Sequence, residues 1–210
     1  MLISGSIISD LLHTYNIVIK GVLHIGAHEC EEKGFYNDEL HIRDDAILWI
    51  DGNESKVEEM KQKGFHNVHY AVVDETERDI IFNITDNPQA SSILTLNHEG
   101  GFYNDIHIIK QVQCKTETLT NFFKRIQTSS HRYNFWNLDI QGTELSVIKG
   151  SRELLEHCDA IYTEVNSEHV YHNCGLISEM DAFLSTYGFK RVHTLWTDVK
   201  WGDALYIKTS

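Results

Sequence analysis

The sequence predicts one α/β domain built on a mostly parallel sheet, and three observations carry that prediction. Apolar runs of strand length alternate with amphipathic segments of helix length along the 210 residues, the pattern of parallel sheets covered by helices. The first run leads into a glycine turn, Leu23-His24-Ile25-Gly26-Ala27-His28, where the backbone can approach a ligand closely. Later runs end in carboxylates at Asp51, Asp139 and Glu164, and ligands of open α/β sheets sit beyond the carboxyl ends of the strands.

Each element has its own signal. Residues 1–17 read as a leading helix with Leu11, Leu12 and Tyr15 on a modest apolar face. A strand over about 19–25 follows, then a helix over about 29–41, where Phe35, Tyr36 and Leu40 recur near helical spacing. Ile47-Leu48-Trp49-Ile50-Asp51 is the core of a second strand, about 46–51. Glu54 to Lys63 reads as a surface helix with Val57 and Met60 facing in, ended by Gly64. Val68 to Val73 is a third strand, and Asp79 to Ile84 a further short one. Residues 85–105, rich in Asn, Ser and Gly, form a long loop, and such loops are usually functional or mobile. Gln111 to Lys115 is a strand, and Thr118 caps a helix to about Ile126. Asn134 to Asp139 is a main-sheet strand, followed by Gly142 and a helix from about Thr143 to Leu155 with Leu145, Ile148 and Leu155 inward. Ala160 to Val165 is a strand, Ser178 to Tyr187 a helix stopped by Gly188, and strands over about 190–196 and 203–208 form a final antiparallel hairpin.

Bulk composition narrows the function. Hydrophobic residues at 41% and charged residues at 23% fit a globular domain. A net charge of −13 opposes a nucleic-acid or anionic-membrane partner, since phosphate binding needs clustered Lys and Arg. No apolar run approaches the roughly 20 residues of a membrane span. The N-terminal residues lack the basic start and cleavage site of a signal peptide. Four scattered cysteines without a CxxC pair read as reduced thiols, so a cytoplasmic protein is expected.

The glycine turn and Asp51, 25 residues apart, point to an adenosine-containing cofactor whose ribose hydroxyls Asp51 accepts. Asn53 is placed to cap the following helix and touch the same ligand. The GxGxxG fingerprint is missing, with His28 and Glu31 in its later glycine positions, which argues against a nicotinamide dehydrogenase. His24 and His28 straddle a strand–turn junction, and His169, His172 and Cys174 lack a fourth ligand, so no metal site is predicted.

Four blocks then stand together: Ile25-Gly26-Ala27-His28; Ile50-Asp51-Gly52-Asn53; Asn83-Ile84-Thr85-Asp86-Asn87 with Ala90-Ser91-Ser92; and Leu138-Asp139-Ile140-Gln141-Gly142-Thr143-Glu144 with Val147-Ile148-Lys149-Gly150. In order and spacing, over roughly residues 20–208, they resemble the FkbM-type methyltransferases. The resemblance implies a seven-stranded Rossmann-like methyltransferase fold with an antiparallel last strand and helices on both faces. It implies S-adenosylmethionine as cofactor and a small-molecule acceptor, usually a hydroxyl on a sugar, glycan or polyketide-type compound. On it, Gly26, Ala27 and His28 pack along the methionine part, Asp51 and Gly52 meet the ribose, and Val72 and Asp74 meet adenine. Ser91 and Ser92 close over the cofactor, and Asp139 and Gln141 lie beside the methyl group. Asp139, Glu164, His28 and His98 are the candidate groups for the acceptor proton. Glu144 starts a helix, where a carboxylate is favoured anyway. Three positions depart from the family pattern: His24 replaces the usual Asp, Cys30 the second glycine, and Asp51-Gly52 the usual Glu-Pro. With His24 there, the methionine-amine contact is left open or passes to Asp139, and a binding-only module of the same fold is the alternative reading.

Overall fold

The structure is a computed structural model that describes residues 1–100 and 103–209. Its main sheet has seven strands: β1 (Val22–Ile25), β2 (Ile47–Asp51), β3 (Val68–Tyr70), then, after a separate ribbon of β4 (Asp79–Thr85) and β5 (Ile108–Lys115), β6 (Phe135–Leu138), β7 (Ala160–Asn166), β8 (Phe189–Trp196) and β9 (Trp201–Lys208). The order is β3-β2-β1-β6-β7-β9-β8. Every pair is parallel except those of β9, which runs antiparallel to β7 and β8. The α/β class and the antiparallel last strand are therefore as the sequence predicts. The sheet reverses its winding between β1 and β6, the place where such folds bind ligands.

Strand alternation sorts the side chains into two cores. Leu23, Ile25, Leu48, Ile50, Trp136, Leu138 and Ile161 point to one face and meet α3 (Leu119–Arg125), α4 (Glu144–Gly150) and α5 (Ile177–Ser185) through Phe122, Ile148 and Leu184. Val22, Ile47, Trp49, Phe135 and Tyr162 point to the other and meet α1 (Gly5–Thr14) and α2 (Glu54–Gln62) through Ile8, Leu12, Val57 and Met60. Burying each such side chain contributes roughly 1.5–3 kcal/mol. Thr118 caps α3 by accepting from the Asn121 amide at 3.3 Å. Thr118→Ala is expected to lower unfolding stability by about 1 kcal/mol, read from the urea midpoint.

Several boundaries differ from the sequence prediction. The helix expected over 29–41 is replaced by turns and a five-residue π-helical turn, Phe35–Glu39. His28 and Cys30 take left-handed backbone, φ 41° and 57°, which stops a helix from starting. The turn swings Tyr36 under the sheet, where Asn137 Nδ2 donates to its hydroxyl at 2.6 Å and His24 Nδ1 lies at 3.1 Å. α4 ends at Gly150, not Leu155, and the chain there passes close to Glu75: a Cβ on Gly150 would lie 2.5 Å from Glu75 Cα. β3 stops at Tyr70, although the Ala71 amide still donates to Asp51 O at 3.1 Å. β4 and β5 form a separate antiparallel ribbon, with Phe82 opposite Val112, and Asn83 of β4 also bridges to Ser92.

Candidate active site

The carboxyl edges of β1, β2, β6 and β7 open into a cavity of about 420 Å³, within the usual range for small-molecule sites of about 300–1,000 Å³. Its floor is the glycine turn. Gly26 N and Ala27 N both donate to Ile50 O, at 2.8 and 3.0 Å, and Asp139 N donates to Ile25 O at 3.0 Å. The turn is thereby wedged between the ends of β2 and β6. Gly26 has φ +88°, and a Cβ there would lie 1.8 Å from Asp139 O. Only glycine fits, and the cradle it leaves is bare backbone.

Asp51 ends β2 on the cavity wall. Its Oδ2 accepts from the His28 amide and its Oδ1 from the Asn53 amide, both at 2.7 Å. These bonds lock the carboxylate while leaving further lone pairs on each oxygen. Burial pushes its pKa up, against the two amides that hold it down. Asn53 caps α2, accepting from the Ser55 amide at 3.1 Å. Gly52 lies against the Phe82 ring, and Ala71, Val72 and Phe82 supply apolar wall beside it. The His28 ring is held by Glu31 at 3.0 Å, and its buried Nε2 has no partner.

Across the cavity the amide of Gln141 ties two carboxylates together. Its Nε2 donates to Asp139 Oδ1 at 2.6 Å and Glu164 Oε2 at 2.9 Å, while its Oε1 accepts from the Tyr171 hydroxyl at 2.7 Å. Gln141 itself is left-handed, φ 57°. Glu164 is only 4% exposed, and its Oε1 has no hydrogen-bond partner. Burial first, then Asp139, Glu144 and Asp203, push its pKa well above the usual range. Asp139 opens onto the cavity, yet the fold encloses it elsewhere, and this desolvation, with Asp203 second, raises it to about 6. Glu144 sits behind the turn, with Oε1 accepting from the Ile140 amide at 2.8 Å and Oε2 from the Gly142 amide at 3.1 Å; burial raises it to about 7. It positions the turn and does not line the cavity.

The structure thus brings Gly26, His28, Asp51, Gly52, Asn53, Val72, Asp139, Gln141, Glu164 and Ser91 around one cavity. Four predicted residues are not there. Ala27 points its methyl into the core shared with Tyr36 and Val57. Ser92 is buried, donating to Gln141 O at 2.8 Å, so it braces the loop from behind. Asp74 is 2% exposed and fully engaged by Arg78 at 2.7 Å, the Ser146 hydroxyl at 2.5 Å and the Glu75 amide at 2.8 Å, which leaves nothing for an adenine amine. His98 is exposed and does not line the cavity. His169 lies against Cys174, Nδ1 3.1 Å from its carbonyl, and no group of three metal-ligating side chains occurs among the described residues.

Other wall residues were not legible. Tyr171 lies in the loop between β7 and α5, and nothing in the sequence there indicates its bond to Gln141. Tyr103, whose buried hydroxyl lacks a partner, is pushed up to about 12 by burial. Asp203 faces the cavity from inside β9 and accepts from the Tyr162 hydroxyl and the Leu2 amide.

A bare glycine cradle, a locked carboxylate 25 residues on, an apolar wall and unpartnered polar atoms fit an adenosine cofactor. The family model for the methyltransferase FkbM domain matches residues 24–191. The crystal structure of the FkbM methyltransferase from Methylobacillus flagellatus KT is similar at a TM-score of 0.55 and 14% identity, over 90% of this chain and 43% of that one. This chain therefore spans less than half of that protein's length. The plantazolicin methyltransferase BpumL, solved in complex with SAH, is similar at a TM-score of 0.50 and 12% identity, over 97% of this chain and 82% of that one. No curated protein matches. Among the described residues no helix is long and apolar enough to cross a membrane. Identities this low establish the fold, and the family match over most of the sequence establishes the rest: the chain belongs to the FkbM methyltransferases, with S-adenosylmethionine as cofactor.

Proposed function

We propose that the chain methylates a hydroxyl of a small sugar or sugar-like acceptor, with Glu164 as the base. The observation that carries this reading is the Gln141 bridge, which fixes Asp139 and Glu164, both lining residues of the cavity, side by side and leaves Glu164 Oε1 buried without a partner. When bound, the cofactor supplies an electrophilic methyl group on a positively charged sulfur. Asp51 holds the ribose hydroxyls, Gly26 lets the backbone lie against the methionine part, and Val72 and Phe82 flank the base. Asp139 takes the donor's ammonium group, the contact that His24 cannot supply while burial keeps it neutral. The acceptor oxygen would gain the methyl group as the donor's sulfur–carbon bond breaks, and its proton would pass to the Glu164 carboxylate beside it. Tyr171 fixes the Gln141 amide, so the base cannot rotate away. Tyr103, Tyr171 and Trp201 add the aromatic wall on which a sugar ring packs. Four free cysteines accord with a cytoplasmic setting.

Calorimetric titration with S-adenosylmethionine and S-adenosylhomocysteine tests the donor site. Both should bind, and Asp51→Ala should weaken both by about 100-fold, the loss of two charge-assisted hydrogen bonds. A folded protein that binds neither overturns the reading. Methyl transfer from labelled donor to a panel of neutral sugars tests the acceptor. Glu164→Gln should lower kcat at saturating donor by about 10²–10⁴-fold. Donor binding without methylation of any hydroxyl on the panel overturns the sugar assignment.

A further inference from the structure

The sequence predicts a leading helix over residues 1–17, yet α1 begins only at Gly5, and Ser4 ahead of it is in extended backbone. Leading segments are loose unless something ties them down, and here several contacts do. Ile3 is 1% exposed and packs in one core with Ile8 and Leu12. The Leu2 amide donates to Asp203 Oδ2 at 2.5 Å and to the Tyr162 hydroxyl at 3.1 Å, and the Ile3 amide donates to the same hydroxyl at 3.4 Å. Tyr162 donates its own proton to Asp203, so one hydroxyl accepts twice and donates once, its full capacity. The Leu2 and Ile3 contacts to Tyr162 and Asp203 come from the main chain. They fix where the side chain of Leu2 starts, whatever that side chain is. Leu2 is partly buried and lines the cavity.

The sheet order tells which end of the cavity Leu2 bounds. From Asp51 on β2 the strands run β1, β6, β7, β9, and at about 4.8 Å per step β9 lies about 19 Å from β2. The ribose belongs at the β2 end, and Glu164 on β7 is the base proposed above. Leu2, fastened to Tyr162 of β7 and Asp203 of β9, lies on the far side of Glu164 from the ribose. Trp201 and Val170 line the cavity with it. Val170 is held in place because the Asn97 amide donates to its carbonyl at 2.8 Å, and the His172 amide donates to Thr95 O at 2.9 Å. The Leu2 side chain carries no hydrogen-bonding group, so what it gives this end of the cavity is shape.

We infer that Leu2 is a specificity-determining residue, which closes the acceptor end of the cavity and limits the substituent a sugar can carry beyond its reacting hydroxyl. The inference rests on the acceptor reading above and deepens it by naming a size class: one ring with small substituents.

The test starts from a neutral sugar that the wild type methylates. Its mono-O-benzyl ethers, one for each remaining hydroxyl, are compared with the parent sugar. At least one ether should react about tenfold or more slowly by kcat/KM, since a single methylene in an apolar pocket is already worth about 10–200-fold. Leu2→Ala should raise kcat/KM for that ether about tenfold relative to the parent, with the calorimetric affinity for S-adenosylmethionine as in the wild type. Leu2→Trp should extend the rejection to the corresponding methyl ether. Tyr162→Phe, which removes the hydroxyl that seats both amides, should relax the same discrimination with the leucine intact. Ethers that all react as readily as the parent, a ratio that Leu2→Ala leaves unchanged, or a loss of donor affinity in Leu2→Ala overturns this inference alone. Methylation of no sugar overturns the acceptor reading and the inference with it. Circular dichroism of each variant confirms that it is folded.

Discussion

Glu164→Gln is expected to melt several degrees above the wild type at pH 8 and at the same temperature at pH 3.5. In the unfolded chain a glutamate titrates near 4.5, whereas burial and the neighbouring carboxylates raise Glu164 well above that. Between those values the folded protein keeps a proton that the unfolded chain has released, so stability falls as pH rises. Below about pH 4.5 both states are protonated and Glu164 exerts no pull. Each pKa unit of elevation is worth about 1.4 kcal/mol, and 1 kcal/mol moves the midpoint of a domain this size by about 2–4 °C. Gln keeps the size and the bond to Gln141 but cannot ionise. His24, held neutral by burial, acts in the opposite sense, but it is present in both proteins and cancels in the difference. Asp139 is exposed to solvent, which screens its charge, and it too is present in both proteins. Superimposable melting curves at pH 8 would mean that Glu164 is not strained by its surroundings. The same substitution costs catalysis and gains stability, the pattern of a site optimised for chemistry.

Gly26→Ala is expected to cost about 3 kcal/mol or more and to abolish donor binding, whereas Gly64→Ala costs only about 1 kcal/mol. The two glycines share a backbone conformation, φ +88° and +85°. They differ in surroundings. A Cβ on Gly64 meets nothing within 4 Å, while one on Gly26 lies 1.8 Å from the carbonyl oxygen of Asp139. The shared part is the cost of forcing alanine into left-handed backbone. The excess at Gly26 is the cost of prising β1 and β6 apart, because a backbone oxygen cannot rotate out of the way. Paired urea titrations read both values, and equal losses would show that the strand ends separate freely.

Much of this was legible in the sequence because strands impose a two-residue period. Asp51, Asp139 and Glu164 each follow by two a side chain of the same layer, namely Trp49, Asn137 and Tyr162, so the apolar runs alone place their carboxylates at one edge. Helix ends were harder. The spacing of Phe35, Tyr36 and Leu40 mimics a helix, but the left-handed backbone at His28 and Cys30 comes from packing against Asp51 and the sheet. The family resemblance implies ligand contacts for Asp74 and Ser92, yet their partners Arg78, Ser146 and Gln141 are met only on folding. Asp203 was hidden for the opposite reason. It begins an apolar run, and only the register with β7 sets it against Glu164.

The shared parity of the carboxylates has an evolutionary consequence. One residue inserted within β2, β6 or β7 turns the terminal carboxylate to the opposite core and erases the site, whatever the sequence identity retained. The segment from Asn87 to Ile106 obeys no such period, although it contributes Asn87, Ser91, Tyr103 and Ile106 to the wall. Lineages of this fold are thus free to lengthen, shorten or exchange that segment and so acquire new acceptors, while the donor half admits substitutions but no insertions. Grafting the 87–106 segment from another FkbM protein should change which hydroxyl is methylated and leave donor affinity as it was.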